Sequence, residues 1–232
     1  LIKAAENAND EMAQNAWLHT GIASLRLIKK TDAQTAFMNA AQMNASKSLK
    51  EMAMYNYALT LHEQNSPQTV KVMEDFLNEF PTSQYATPVS QCLTAAYMSK
   101  KDYNKALQAI SKVQAQNTDA QNDKQTVLYN LAFQELNSGR IEQALAYAGE
   151  AVALGNKNAE AYAEAYYIKG DCNYRQGNYS QAANDLNTAI NLGGQTANGK
   201  LKNNTYAIYS LGYALYKQQK YNAAISQFSK VT

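Results

Sequence analysis

One spacing of small and apolar residues recurs along the sequence and restricts the fold more than any other feature. In its clearest copy, gaps of 4, 12, 4 and 3 join five residues, namely Ile208, Gly212, Ala224, Phe228 and Val231. Four further copies with these gaps begin at Trp17, Ser90, Leu128 and Tyr166. Short gaps of 3 and 4 place residues on one face of a helix, and the gap of 12 leaves room for a turn. The pattern therefore predicts a series of helix pairs.

A sixth copy of the pattern is imperfect. Its first helix contains Met54, and its second helix, with Met73 and Phe76, fits only if the turn is one residue shorter. Successive copies start 36 to 42 residues apart, a period typical of helical repeat proteins. The sequence therefore predicts an all-α superhelix, or solenoid, of about six helix pairs in a single domain. The expected units are residues 10–45, 48–82, 86–117, 122–156, 160–194 and 203–232 of the domain 1–232.

Small residues occupy the second position of the pattern at Gly21, Ala132, Gly170 and Gly212. We expect the two helices of a pair to approach closely there, because a larger side chain would hold them apart. In two copies a glycine, Gly139 or Gly177, follows seven residues later. A helix C-terminus favours a left-handed residue at such a position. An irregular helical bundle would have no reason to repeat this spacing.

The charge and hydropathy of the chain give no indication of a nucleic-acid partner or of a membrane-spanning segment. The formal net charge is +2, both signs are interspersed, and no basic stripe suited to nucleic acid is visible. Asn and Gln fill 44 of the 232 positions, so we expect much of the polar surface to be uncharged. No stretch approaches the roughly 18 to 20 apolar residues of a membrane-spanning helix.

Residues with catalytic or metal-binding chemistry are sparse. His19 and His62 have no metal-ligand spacing, and Cys92 and Cys172 lack the CxxC context of a zinc or redox site. Carboxylates on predicted helix surfaces are interpreted as solvated, and they include Glu135, Glu142, Glu160 and Glu164. The sequence therefore predicts a non-catalytic protein with no catalytic residue, no cofactor and no metal site.

Two segments resemble the tetratricopeptide repeat consensus. Residues 166–190, YYIKGDCNYRQGNYSQAANDLNTAI, match it closely, and residues 208–231 do so except that Gln219 replaces the turn glycine. Residues 76–86, FLNEFPTSQYA, resemble repeat junctions of bacterial envelope proteins, and the Asn-, Gln- and Tyr-rich composition is similar to that of Bacteroidetes-type arrays. The resemblance implies a protein-interaction scaffold in the periplasm or envelope, with a cytoplasmic array left open.

The resemblance also implies a concave groove lined by the first helix of each pair. In the last copy, four tyrosines with gaps of 3, 4 and 3 fall on that face. Carrying this register along the chain gives the candidate partner-binding residues Tyr55, Tyr129, Phe133, Tyr167, Asp171, Tyr174, Arg175, Tyr206, Tyr209, Tyr213 and Tyr216. The family's clamp for chaperone tails uses Lys and Asn where Tyr167 and Asp171 stand, so that role is disfavoured.

Three functions remain open for this face. The rings could grip an extended peptide or a helix. They could instead fill space between successive first helices, in a structural spacer without a ligand, or stack on sugar rings. Both ends of the sequence suggest part of a longer array, because residues 1–9 read as the end of a helix and no polar cap follows the last apolar face. That face, with Ile225, Phe228 and Val231, is expected to mediate self-association.

Overall fold

The computed structural model describes residues 10–113, 118–196 and 204–231, which form twelve α-helices and no strand. In chain order the helices are α1 Glu11–Arg26, α2 Lys30–Gln42, α3 Lys47–Glu63, α4 Thr69–Glu79, α5 Ala86–Ser99, α6 Tyr103–Ser111, α7 Thr118–Asn137, α8 Ile141–Ala153, α9 Ala159–Arg175, α10 Tyr179–Gly193, α11 Thr205–Lys217 and α12 Tyr221–Phe228. Short turns join them two by two. The predicted all-α fold of about six helix pairs is therefore confirmed, whereas the expectation for residues 1–9 lies outside the described residues.

Close contact between the two helices of a pair depends on the small residues of the pattern. A Cβ atom added to Gly21 would lie 2.5 Å from ring carbons of Phe37, and one added to Gly212 would lie 2.5 Å from the ring of Phe228. At Gly170 the added atom would lie 2.7 Å from Cγ of Leu186. Carbon atoms pack at about 3.5 to 4.0 Å, so no side chain fits at these places.

The turn between the helices contains a left-handed residue seven positions after the second residue of the pattern in every described pair. These residues and their φ angles are Ile28 (60°), Asn65 (51°), Lys101 (58°), Gly139 (76°), Gly177 (81°) and Gln219 (64°). The next residue commonly donates its N–H to a carbonyl five positions back, as Asn178 does to Asn173 at 2.8 Å. This is the bond of a Schellman motif, which explains why the conformation recurs even where no glycine is present.

The chain divides into two compact units by its contacts, Leu1–Lys100 with Gln108–Gln114 and Lys101–Leu107 with Ala115–Thr232. In the first unit, Leu18, Phe37 and Leu61 are buried in one apolar cluster formed by α1, α2 and α3. In the second unit, Ile168 is buried with residues of α7 and α8, and Leu186 is buried with Leu211 of α11. In these three places a helix pair shares its core with the first helix of the next pair.

Two fully buried glutamines tie a helix pair to the helix that follows it. The Gln125 amide of α7 donates to the carbonyls of Ala151 and Gly155, both at 2.7 Å. Its oxygen accepts from the N–H groups of Lys157 at 3.2 Å and Asn158 at 2.7 Å, just before α9. In the first unit, Gln14 of α1 makes equivalent bonds to the end of α2 and to the residue before α3. These hydrogen bonds thus fix the path of the backbone between the end of one helix pair and the start of the next.

Candidate functional site

The first helices of the second unit carry a row of exposed aromatic side chains. Helix α9 lies beside both α7 and α11. The exposed fraction is 47% for Phe133 on α7, and on α11 it is 76% for Tyr206, 47% for Tyr209 and 51% for Tyr216. A soluble domain normally exposes large apolar groups singly, so exposed rings on α7 and α11, the two helices on either side of α9, indicate a contact surface.

Other predicted groove residues are partly used in packing between the first helices. Tyr167 and Tyr174 of α9 pack against the cluster that contains Leu211 and Ala214 of α11. Tyr129 of α7 packs against the cluster that joins α7, α8 and α9. Burial is the main reason that the pKa values of Tyr129 and Tyr167 are each raised to about 12. These tyrosines therefore form the half-buried floor of the face.

Carboxylates of α9 lie among these rings. Negative charge on Glu164 and Glu160 further raises the pKa of Tyr129, and Asp171 and Glu164 further raise that of Tyr167. Asp171 accepts a 2.8 Å hydrogen bond from Nε of Arg175, one turn later on the same helix. Both predicted polar residues, Asp171 and Arg175, are thus paired with each other.

The rings of the last helix pair form a connected cluster. Tyr209 and Tyr213 have centroids 4.7 Å apart, and the ring of Phe228 lies 5.8 Å and 5.3 Å from them. Tyr213 also contacts Tyr216 at 6.4 Å, and Tyr216 contacts Tyr221 of α12 at 5.6 Å. Edge and tilted contacts of this kind hold aromatic rings in fixed orientations. Tyr206 extends the row beyond this cluster.

Tyr55, the candidate residue of the first unit, has a local partner. Its ring stacks on Tyr85 with a centroid separation of 4.2 Å and an interplanar angle of 17°. It also lies 6.4 Å from the ring of Phe76. Tyr55 is therefore half-buried in contacts between α3, α4 and the turn before α5, and this arrangement depends on a ring, Tyr85, that the repeat register did not select.

Sequence reasoning missed Glu160 and Glu164 as members of this face, because it treated them as solvated surface residues. Their positions could have been found from Tyr167, since they precede it by seven and three residues on one helix face. On α12, Ile225 is 62% exposed, as the sequence suggests, whereas Phe228 is half-buried against α11.

His, Cys, Asp and Glu side chains in the described ranges nowhere gather in a group of three that could bind a metal ion. Among the same residues, none of the helices combines the length and hydropathy that crossing a bilayer requires.

The repeated helix pairs, the small contact residues and the left-handed turns define a helical repeat protein. Tetratricopeptide repeat models match residues 129–195 and residues 52–83, one match in each unit. The chain therefore contains tetratricopeptide repeats in both units, as the resemblance of its sequence implies. None of the curated proteins matches it.

Several solved structures are similar to the chain at low sequence identity. The apo form of RapI is 12% identical with a TM-score of 0.53, over 94% of this chain and 75% of RapI. YrrB, a tetratricopeptide protein with an unusual peptide-binding site, is 18% identical with a TM-score of 0.48, over 86% and 92% of the two chains. A tetratricopeptide repeat protein from Parabacteroides merdae is 12% identical with a TM-score of 0.44, over 94% and 78%. The likeness to RapI supports the fold alone.

Proposed function

We propose that the chain is a protein-interaction scaffold that binds a peptide or protein segment on the first-helix face of its second unit. The observation that carries this proposal is the position of the exposed rings. Phe133, Tyr206, Tyr209 and Tyr216 all lie on first helices and remain about half exposed or more. Aromatic side chains with one apolar body and one polar tip are the residues that dominate binding energies at protein interfaces.

The half-buried tyrosines support the same function in a different way. Tyr129, Tyr167 and Tyr174 fix the spacing of α7, α9 and α11, since they pack between these helices. The packing and the binding interpretations therefore apply to different residues of one face. A floor held by packing keeps the exposed rings in place, so a partner loses little free energy in ordering them.

The test is selection from a display library of random short peptides on the immobilised chain, followed by affinity measurement of the enriched peptides. Phe133→Ala and Tyr206→Ala should each weaken binding about tenfold, because truncating a central aromatic contact typically costs about 1.4 kcal/mol or more. Leu27→Ala is the matched control, since Leu27 is apolar and 67% exposed but lies in the turn after α1 of the first unit. Equal losses in all three variants, or no enriched peptide, would contradict the proposal.

We also propose that α12 mediates self-association through Ile225. Burial of this exposed side chain against a second copy would remove apolar surface from water. Light scattering should give a larger mass for the wild-type chain than for Ile225→Glu, whereas Ser226→Glu on the same helix should leave the mass unchanged. A wild-type monomer at high concentration would contradict this proposal. Phe228 is the poorer target, because its ring contacts Gly212 and Tyr213 within the pair.

We also propose that the protein is exported and associated with the cell envelope. This proposal is supported by the resemblance of residues 76–86 to repeat junctions of envelope proteins. Immunoblots of fractionated cells should place the native protein in the periplasmic or membrane fraction. Detection in the cytoplasmic fraction alone would contradict it.

A further inference from the structure

Two lysines lie in the turn between α11 and α12, at the end of the first-helix face. Lys217 is the last residue of α11, and Lys220 directly precedes α12. The ammonium group of Lys220 donates a 2.9 Å hydrogen bond to the neutral side chain of Gln218. The described residues 204–231 contain one further lysine, Lys230, and no Asp or Glu. This helix pair therefore carries only positive side-chain charge.

Earlier pairs of the second unit have cations at the same two positions, and there a carboxylate balances each of them. In the last turn of α9, Nε of Arg175 donates to Asp171 at 2.8 Å. Arg140, which follows the left-handed turn residue Gly139, forms an ion pair with Glu135 of α7. The hydrogen bond from Arg140 lowers the pKa of Glu135, so this carboxylate is charged at neutral pH. Both arginines are therefore paired within the chain.

In the pair formed by α11 and α12 the two cations remain, but both carboxylates are replaced. Lys217 has the register of the α9 arginine, and Tyr213 stands one turn earlier in place of the aspartate. Lys220 follows the left-handed residue Gln219, and Leu215 stands five positions before it in place of the glutamate. Within the described part of the chain, neither lysine forms an ion pair with a carboxylate. Their charges can therefore attract an anionic group of a partner.

Exposed aromatic rings flank these two lysines. Tyr216 and Tyr221 are their neighbours in the sequence, and the centroids of the two rings lie 5.6 Å apart. The side chains are 51% and 54% exposed. The amide of Gln218 fixes the turn, since it donates to the carbonyls of Tyr179 at 2.9 Å and Ala214 at 3.0 Å. The turn therefore presents two cations beside an apolar surface in a defined arrangement.

We propose that the bound segment carries Asp or Glu side chains that pair with Lys217 and Lys220, next to apolar side chains that contact Tyr216 and Tyr221. This inference rests on the proposed function, because it concerns a partner held on the same face. Unpaired cations attract carboxylates, and complementary charge selects between partners. A nucleic acid would need a basic stripe, whereas these lysines are confined to one turn. The partner is therefore an acidic peptide segment with aromatic or aliphatic residues.

The test uses the random display library, with each peptide joined to its carrier through its C-terminus, so that any carboxylate it offers is an Asp or Glu side chain. The wild-type chain should enrich acidic peptides, and Lys217→Gln/Lys220→Gln should bind them about threefold to tenfold more weakly, as expected for exposed ion pairs. Replacing Asp and Glu of the peptide by Asn and Gln should cause a similar loss, and the two changes together should cause no further loss.

Lys230→Gln is the matched control and should bind like the wild-type chain. It removes an exposed lysine of the same helix pair, whose ammonium group also donates to a neutral amide, that of Gln227 at 3.0 Å. Lys217→Glu/Lys220→Glu should reverse the preference and enrich Lys- and Arg-containing peptides. Added salt should reduce the wild-type affinity more than that of Lys217→Gln/Lys220→Gln, since screening acts on the charges that this variant lacks.

Three other outcomes would overturn the inference. Enriched peptides that are neutral or basic, yet lose affinity with Phe133→Ala and Tyr206→Ala, would exclude the acidic partner and leave the proposed function intact. Acidic peptides that bind Lys217→Gln/Lys220→Gln and the wild-type chain equally would place the attraction elsewhere. Absence of any enriched peptide that depends on the first-helix rings would overturn both proposals. Circular dichroism of each variant confirms that binding is compared between folded chains.

Discussion

Gly170→Ala in α9 should destabilise the second unit, whereas Gly149→Ala in α8 should stabilise it. Gly170 lies in α9, and an added Cβ atom would be 2.7 Å from Cγ and 3.0 Å from the backbone nitrogen of Leu186. Gly149 lies in α8, and an added Cβ atom there would meet nothing within 4 Å. The two sites therefore differ mainly in the space available.

The expected magnitudes follow from two terms. Alanine is favoured over glycine in a helix interior by about 0.5 to 1 kcal/mol, and this gain applies at both positions. Overpacking a well-packed contact typically costs about 1 to 3 kcal/mol. At Gly170 the cost cannot be relieved by a rotamer change alone, because one of the clashing atoms belongs to the backbone. We therefore expect Gly149→Ala to stabilise by about 0.5 to 1 kcal/mol, and Gly170→Ala to be less stable than it by about 1 to 3 kcal/mol.

Urea denaturation followed by circular dichroism measures this difference. Repeat proteins can unfold in more than one step, so the comparison needs two sites in the same compact unit, as Gly149 and Gly170 are. Gly170→Leu should lose more stability than Gly170→Ala, because the larger side chain has more clashing atoms. A Gly170→Ala midpoint at or above that of Gly149→Ala would refute the close contact between α9 and α10.

Three further predictions concern other features. Ile28→Gly should raise the stability of the first unit by about 1 to 2 kcal/mol, because a β-branched residue at a φ of 60° is strained and its side chain is 82% exposed. Gln125→Leu should destabilise by about 2 to 4 kcal/mol in chemical denaturation, since it removes four hydrogen bonds, whereas the exposed Gln143→Leu should have little effect. Ultraviolet titration should detect tyrosines that ionise near pH 12, and this late phase should shrink in Tyr129→Phe and Tyr167→Phe.

The tyrosine prediction also fixes the direction of a pH effect. The folded-state pKa of Tyr129 lies above the ordinary tyrosine value of 10.0, so above that pH the native state keeps a proton that the unfolded chain loses. The stability from this group is complete below about pH 10 and is lost as the pH rises towards about 12. A titration in which all tyrosines ionise together in the native protein would contradict the burial of Tyr129.

For Ile28→Gly, a midpoint of chemical denaturation that is unchanged or lower would contradict the strain assigned to that turn.

The sequence predicted the repeat better than the site. The spacing of Gly170 and Leu186, and of Gly212 and Phe228, is a local helix-pair property, so it could be read from one chain and is confirmed by the contacts. The left-handed conformation of non-glycine turn residues such as Ile28 was not predicted. The helix pair imposes this conformation, whichever residue occupies the position. Glu164 was missed because it was interpreted as a solvated residue, although its spacing of three from Tyr167 places both side chains on one helix face.

The partition of Tyr rings into buried and exposed members could not be predicted either. Tyr167 and Tyr209 occupy the same register in successive copies, yet the first packs against α11 and the second is 47% exposed. A side chain at this register is covered when its helix has a neighbour on that side. Repeat register alone therefore does not distinguish tyrosines that pack between helices from tyrosines that remain exposed for contact.

The Gln125 hydrogen bonds have a mechanical consequence for the face between α7 and α9. Apolar contacts allow two helices to slide and rotate, whereas an amide that donates to two carbonyls and accepts from two N–H groups permits one arrangement. Asn158 extends this restraint, because its side-chain oxygen accepts from the N–H groups of Glu160 and Ala161 and its amide donates to Asn122 of α7. The first turn of α9 is thereby clamped to α7. The spacing between α7 and α9 is consequently held by directional hydrogen bonds as well as by apolar packing.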